Sequence, residues 1–321
     1  MKKAKILILG EVNDDALAEL KEKCEVIKGP EGHRIEDDRQ WVIDHIADYD
    51  GVIVAKMWFD KEMLDHAKNL KIISTYGVGY DHVDVDYAKS KGIVVSNCPV
   101  SVRRPTAELA LTLILACARR LHFYDHSIRE GVFLDTGNYD NQGFNIEGKT
   151  LGIFGMGSIG QLVAQFAQAL GMKIIYHNRH QLNEDIEKKL NAKYVDFDTL
   201  IKEADFLSLH APLTNETEHI IDKDVFKKMK KNAFLINTAR GALVNEADLL
   251  DALKHGDIEG AGLDVFEGEP YINPEFSKLD NTILTPHVGS ATHVGRYNLT
   301  KEAADNIISF FVDQKAINKV N

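Results

Sequence analysis

Cysteine is scarce in this chain. Cys24, Cys98 and Cys117 are three in 321 residues, odd in number, far apart and without a C-x-x-C pair. That pattern argues against a disulfide framework and for reduced, buried or half-buried thiols of a cytoplasmic protein. Positive charge is in deficit, with 38 Lys+Arg against 49 Asp+Glu and a net charge of -11, so the surface offers no basic field to nucleic acid or to an anionic membrane. Long apolar runs are missing too. The longest low-charge stretch, Leu109 to Ala118, falls short of the roughly 20 residues a membrane span needs, and Arg119 and Arg120 follow it. The opening MKKAKILILG is too short for a signal-peptide core and lacks a small-residue cleavage site, so it reads as a first β-strand. Low-complexity tracts and short-period repeats are absent as well, which leaves an ordinary soluble globular composition.

The length suggests two domains, each large enough to bury its own core without a disulfide or a structural metal. Short β-branched runs, Ile6 to Leu9, Val52 to Ala55, Ile72 to Tyr76 and Ile93 to Ser96, alternate with amphipathic stretches around Asp15 to Lys23, Glu36 to Ala47, Lys61 to Lys68 and Val85 to Ser90. Strand and helix alternating at this spacing predict a parallel sheet covered on both faces. Pro99 and Pro105 mark a junction, and a long apolar helix is predicted from Thr106 to about Leu121, followed by a loop holding Gly131, Gly137, Asn138 and Gly143. A second alternating series runs from Lys149 to about His287. Leu299, Ala303, Ile307, Ile308, Phe311 and Val312 then give one apolar face to a terminal helix.

The most informative local motif is Gly155-Met156-Gly157-Ser158-Ile159-Gly160. Glycines punctuate many turns, so the flanks must decide. Thr150 to Phe154 reads as a buried strand, and Ile159, Leu162, Val163, Phe166, Ala167 and Leu170 recur at helical spacing up to Gly171. Strand, glycine turn and helix make a dinucleotide fingerprint. Gly155 allows the tight turn, Gly157 lets backbone N–H groups approach a pyrophosphate, and Gly160 lets helix and strand pack closely. After the next strand, Lys173 to Tyr176, an NAD site would normally carry an acidic residue for the ribose. This chain has His177-Asn178-Arg179-His180, which points to NADP ahead of NAD, with Asn178 and Arg179 at the ribose. The competing reading of Arg179 is a solvated surface charge.

With STYGVGYDHVDV (Ser74 to Val85), INTARGALVNEADL (Ile236 to Leu249), AGLDVFEGEP (Ala261 to Pro270) and TPHVGSATH (Thr285 to His293) in this order, the chain resembles the D-isomer-specific 2-hydroxyacid dehydrogenases over essentially its whole length. HVGSATH followed by Arg296 looks most like the glyoxylate/hydroxypyruvate reductase branch. The resemblance implies two doubly wound α/β domains: a flavodoxin-like substrate domain, 1–99 plus 290–321, and a Rossmann cofactor domain, 100–289, inserted into it, with the site in the cleft between them. A homodimer is expected on other grounds, the surplus apolar surface of one helix. The predicted apolar helix from Thr106 is expected to bury surface there, or else between domains.

Reduction of a 2-oxo acid needs a cation on the carboxylate, and Arg240 matches the family arginine. It needs an acid for the carbonyl oxygen, and His287 matches the family acid/base. Glu269 matches the carboxylate that would pair with that histidine, while Glu267 is the competing candidate. The Gly77-Val78-Gly79 turn would present backbone N–H groups to the substrate carboxylate, with Met57 and Trp58 walling the pocket or merely packing. Asp264 is either a residue beside the nicotinamide and His287 or a turn-capping aspartate. Thr106, His210, Pro212, Thr217, Thr238, Ala239 and Gly289 complete the cofactor contacts that the resemblance implies, and no metal is expected.

Other relatives fit less well. Phosphite dehydrogenases resemble Pro105-Thr106-Ala107-Glu108 but carry Lys where Val78 stands, formate dehydrogenases place Gln at Glu269, and a phosphoglycerate dehydrogenase would call for further basic residues. A nucleotide-sensing corepressor on the same fold is the reading from another class. Retention of Arg240, Glu269 and His287 favours the enzyme.

Overall fold

The computed structural model describes residues 3–30, 35–55, 57–135 and 137–321. Met1 and Lys2, the head of the expected first strand, lie outside them. The chain forms two compact units, Met1–Val102 with Ser290–Asn321, and Arg103–Gly289.

The first unit holds β1 (Lys5–Leu9), β2 (Glu25–Lys28), β3 (Gly51–Val54), β4 (Ile72–Thr75) and β5 (Val94–Ser96), all parallel, in the order β2-β1-β3-β4-β5. That is the flavodoxin-like order. Successive side chains point to opposite faces, so Leu7, Val52, Val54 and Ile73 enter one core while Ile6, Ile8, Ile53 and Ile72 enter the other. The second core is closed by Leu299, Ala303 and Ile307 of the His293–Phe311 helix. β2 escapes a reading from hydrophobic pattern because it is a four-residue edge strand, Glu-Val-Ile-Lys, with neither end buried.

The second unit holds β6 (Thr150–Phe154), β7 (Lys173–His177), β8 (Ala192–Tyr194), β9 (Phe206–Leu209), β10 (Phe234–Asn237), β11 (Gly260–Leu263) and β12 (Thr282–Leu284). They are again all parallel, ordered β12-β11-β10-β9-β6-β7-β8. Counted within the unit this is the Rossmann order with a seventh strand added. The strand order reverses between β6 and β9, where an open α/β sheet leaves a crevice at its carboxyl edge.

The long apolar helix departs from the sequence reading in three ways. It spans Arg103–Ala118, so Pro105 sits in its first turn, where a missing N–H costs little. It stops short of Leu121, because Arg120 takes a left-handed conformation (φ 49°) and a separate helix, Leu121–Arg129, occupies part of the expected loop. Its buried face packs inside its own unit, where Ala107, Ala110, Leu113, Ile114 and Cys117 join a core with Leu151, Ile153, Val163 and Phe206, while Leu115 stays exposed. More exposed apolar residues lie further on. Leu121, Ile128, Phe133 and Tyr139 are all exposed, and the Leu121–Arg129 helix buries none of its residues.

Helix starts carry a second message. Asp60, Asp84, Asn183, Asp196 and Asn245 each accept a backbone N–H from the first turn of the helix they open. The Ser158–Ala169 helix instead opens on Gly157, which has no side chain to do so. Its first-turn N–H groups are left to another acceptor.

Candidate active site

Most residues picked out in the second unit lie just beyond the carboxyl end of a strand, in the loop or helix start that follows. The Gly155–Gly160 turn follows β6, Asn178 and Arg179 follow β7, and His210, Pro212 and Thr217 follow β9. Thr238, Ala239 and Arg240 follow β10, Asp264 and Glu269 follow β11, and His287 follows β12. Thr106 arrives from the Arg103–Ala118 helix.

The glycine turn is held by sterics. Gly155 has φ +97°, and a Cβ there would fall 2.4 Å from the backbone nitrogen of Ala211, so the turn lies directly against the chain leaving β9. A Cβ at Gly160 would fall 2.6 Å from the Gly155 carbonyl oxygen, whereas one at Gly157 would meet nothing within 4 Å. Packing therefore fixes the first and third glycines, and the middle one faces open space, as a backbone that receives a phosphate must. Asn178 spans the two loops of the β6–β7 pair. Its side-chain oxygen accepts the Met156 N–H at 2.6 Å, which leaves its amide NH2 and one lone pair for a ligand. Arg179 is exposed. His210 receives a hydrogen bond from Ser208 or donates one to it at 2.8 Å, and burial pushes its imidazole down to about 4, so it is neutral at physiological pH.

The loop after β10 is braced from within. Asn237, at the strand's end, accepts the Ala239 N–H at 3.0 Å and donates to the Arg240 carbonyl at 2.8 Å. Thr238 is buried, and among the described residues its hydroxyl finds no hydrogen-bond partner. An orphaned buried hydroxyl after β10, with an uncapped helix start and an open glycine turn after β6, offers polar groups on one sheet edge that a dinucleotide would take up. The next residue explains how Arg240 meets the β11 loop. A Cβ at Gly241 would sit 2.0 Å from the Phe266 carbonyl carbon, so only glycine lets the two backbones touch. The Arg240 guanidinium is half-buried and donates to the Ala239 carbonyl at 2.7 Å.

His287 and Glu269 form the central pair. Nδ1 of His287 lies 2.7 Å from Oε2 of Glu269, while Oε1 of Glu269 accepts the Phe266 N–H at 2.9 Å. The carboxylate is thus pinned by backbone on one side and the imidazole on the other. Nε2 of His287 is left as the nitrogen that can face a ligand. Glu267, the competing candidate, pairs with His219 instead, and its backbone N–H is held by Glu246.

Asp264 caps the turn that carries His287. Its side chain is 1% exposed, and its two oxygens accept the Thr285 hydroxyl at 2.6 Å, the Val288 N–H at 2.8 Å and the Gly289 N–H at 2.8 Å. Burial raises its carboxyl above the usual range against these hydrogen bonds. His287 sits in this turn with φ 54°, its own N–H donated to the Asp264 carbonyl at 2.8 Å. A Cβ at Gly289 would touch both Asp264 and Thr106, so those three expected cofactor contacts cluster at one point. Asn237, Gly241 and Glu246 were not singled out from sequence. The glycine after Arg240 was the available signal.

In the first unit, the Gly77-Val78-Gly79 turn follows β4, and Met57 and Trp58 follow β3. The Gly77 carbonyl accepts from the Cys98 N–H at 2.8 Å and the Thr75 hydroxyl at 3.2 Å, and the Val78 carbonyl accepts from the Asn97 amide at 2.8 Å. With the carbonyls drawn inward, the turn is set to present N–H groups outward. Met57 is buried and packs in the core, while Trp58 is exposed.

Residues 111–289 match the family model described as D-isomer specific 2-hydroxyacid dehydrogenase, NAD binding domain. The glyoxylate reductase of Thermococcus litoralis is 49% identical over 266 residues, which is 82% of this chain and 80% of that one. The crystal structure of a glyoxylate reductase from Paecilomyes thermophila is 33% identical and superposes with a TM-score of 0.90 over 100% of this chain and 99% of that chain. The NADPH-dependent glyoxylate/hydroxypyruvate reductase of Sinorhizobium meliloti, solved with NADP and malonate, is 32% identical, with a TM-score of 0.88 over 99% and 97%. Two parallel sheets of these orders, a fingerprint turn at the reversal of the second, and kinship over most of the chain make this protein an oxidoreductase belonging to the D-isomer specific 2-hydroxyacid dehydrogenase family.

Proposed function

We propose that this enzyme reduces small 2-oxo acids, glyoxylate and hydroxypyruvate foremost, to the D-2-hydroxy acid. The single observation that carries the reading is the His287–Glu269 pair at 2.7 Å on the loops that β11 and β12 send past the carboxyl edge. A nicotinamide dinucleotide, when bound, supplies the hydride. His287 gives a proton from Nε2 to the carbonyl oxygen as charge grows there, and Glu269 stabilises the imidazolium and fixes its tautomer. Arg240 holds the substrate carboxylate and polarises the carbonyl. The Gly77–Gly79 turn offers its own N–H groups to a substrate carboxylate.

The cofactor is NADPH ahead of NADH on this reading, because the end of β7 offers Asn178 and the exposed Arg179 in place of a carboxylate. The S. meliloti relative, NADPH-dependent by description, supports that preference. Three buried unpaired cysteines fit a reducing cytoplasm, and among the described residues no helix is long and apolar enough to cross a membrane. The exposed apolar residues from Leu121 to Tyr139 support a homodimer joined through that segment. A panel of 2-oxo acids with each nicotinamide cofactor, followed at the nicotinamide absorbance, tests the activity. Cofactor binding without turnover of any 2-oxo acid would favour a nucleotide sensor instead.

A further inference from the structure

A buried amide network runs behind the Gly77–Gly79 turn. Asn97 is 7% exposed, and its amide donates to the Val78 carbonyl at 2.8 Å. Asn306, on the His293–Phe311 helix, is fully buried, and its amide donates to the Asn97 carbonyl at 2.9 Å and to the Ser74 hydroxyl at 3.1 Å. The side-chain oxygen of Asn306 accepts the Asn318 amide at 3.0 Å. Asn318 belongs to the segment after that helix. Its carbonyl accepts the Asn97 N–H at 3.1 Å, and the next residue, Lys319, pairs antiparallel with Ser96 at the end of β5. Three asparagines thus join the turn to the chain's last residues, and the central one, Asn306, has both its amide NH2 and its amide oxygen engaged.

A core has simpler ways to fill this space. A buried amide costs free energy unless each of its polar groups is paired, and such a network is kept only in one geometry. Here that geometry fixes the Val78 carbonyl, and the Cys98 N–H fixes the Gly77 carbonyl beside it. With both carbonyls held, the N–H groups of the turn have one orientation. We infer that Asn97, Asn306 and Asn318 are positioning residues for substrate binding, acting as a unit that holds the Gly77–Gly79 turn with its N–H groups ready for a carboxylate. The inference rests on the reading of that turn as a carboxylate site, and it assigns the C-terminal segment a part in substrate affinity.

The test compares four proteins: Asn97→Ala, Asn318→Gly, the double variant and Gly77→Ala. Asn318 has φ 50°, so glycine removes its amide without straining the backbone. A Cβ at Gly77 meets nothing within 4 Å, so Gly77→Ala folds normally and obstructs only an approaching ligand. Losing the direct hydrogen bond in Asn97→Ala should raise KM for glyoxylate about tenfold with kcat within about threefold, and Asn318→Gly should raise KM about threefold. NADPH dissociation constants, read by nicotinamide fluorescence, should stay unchanged. The double variant should resemble Asn97→Ala, because residues acting as a unit are not additive. If Gly77→Ala leaves KM unchanged, the turn is not the carboxylate site. If Gly77→Ala raises KM but both asparagine variants do not, or if their effects multiply, the positioning unit is overturned. Loss of cofactor affinity in parallel with KM would equally overturn it, since a merely structural defect moves both. Should Asn97→Ala fail to fold, Asn318→Gly alone decides through the same KM against kcat split.

Discussion

At the scale of single residues, His287 is held more tightly by backbone than by its partner. It lies in a left-handed turn that Asp264 closes with three accepted hydrogen bonds, so its place does not depend on Glu269. Glu269→Gln should therefore leave the imidazole where it is and remove only the negative charge beside it. With that charge gone, kcat for reduction in Glu269→Gln should fall about 10- to 100-fold while KM stays within about threefold. Unchanged turnover in the variant would mean that Glu269 does not act through His287. Arg179 is the complementary case, an exposed side chain. Charge-assisted hydrogen bonds to a 2'-phosphate are worth about 1.5 to 3 kcal/mol, so Arg179→Ala should raise KM for NADPH by about one order of magnitude and leave NADH within about threefold. Equal losses with both cofactors would assign Arg179 to the adenine side or to the fold.

At the scale of elements, the loops act through how closely they pack. The β10 loop reaches the β11 loop only because Gly241 lacks a side chain, and a Cβ there would lie 2.0 Å from the Phe266 carbonyl carbon. Gly241→Ala should lower stability by about 1 to 3 kcal/mol through overpacking. By moving Arg240 about 1 Å from the Glu269–His287 pair, it should also reduce kcat/KM by about 100-fold. A variant with normal turnover would show that the two loops need not touch. A second element-scale joint lies at the amino edge of the same sheet, where Asp205 accepts the Thr150 N–H of β6 at 2.8 Å and pairs with Lys230 at 2.8 Å. Burial raises its carboxyl, but the Lys230 and Thr150 hydrogen bonds outweigh it and hold the group below the usual range. A carboxyl depressed in the folded state contributes stability above its unfolded value, and that contribution is lost as pH falls through the folded value. Asp205→Asn should cost about 1.5 to 3 kcal/mol at pH 7, and the gap to the unmutated protein should close as pH drops below about 4. A gap in melting temperature that is constant with pH would refute the electrostatic account.

At the scale of the whole molecule, the open question of assembly turns on Leu121 to Tyr139. Phe133 is 88% exposed and Tyr139 84%, on a segment whose helix buries nothing of its own. Apolar side chains this exposed mark an interaction surface. Sedimentation at micromolar concentration should find a dimer, and Ile128→Asp with Phe133→Asp should yield a folded monomer. A monomer before mutation would end that reading.

The sequence by itself determined the parts that rest on local rules. β-branched runs and 3.6-residue periodicity located most strands and helices, and the Gly155–Gly160 motif located its turn, because a tight turn, an open approach and a close helix contact each leave a glycine in the chain. Arg240, Glu269 and His287 were legible as residue types in motifs. What joins them was not. That Glu269 rather than Glu267 meets His287 depends on Glu246 and His219 occupying Glu267, and these lie 21 and 48 residues away in sequence. That the Asp264 oxygens are filled from residues 285, 288 and 289 was equally out of reach of the sequence. The apolar helix at Arg103–Ala118 shows hydrophobicity in sequence but not which surface it covers, and tertiary packing placed it in its own core. Spacing along the chain encodes what neighbours do to one another. Which distant carboxylate, amide or apolar face fills a given contact is decided only when the parallel strands bring their loops to a common edge.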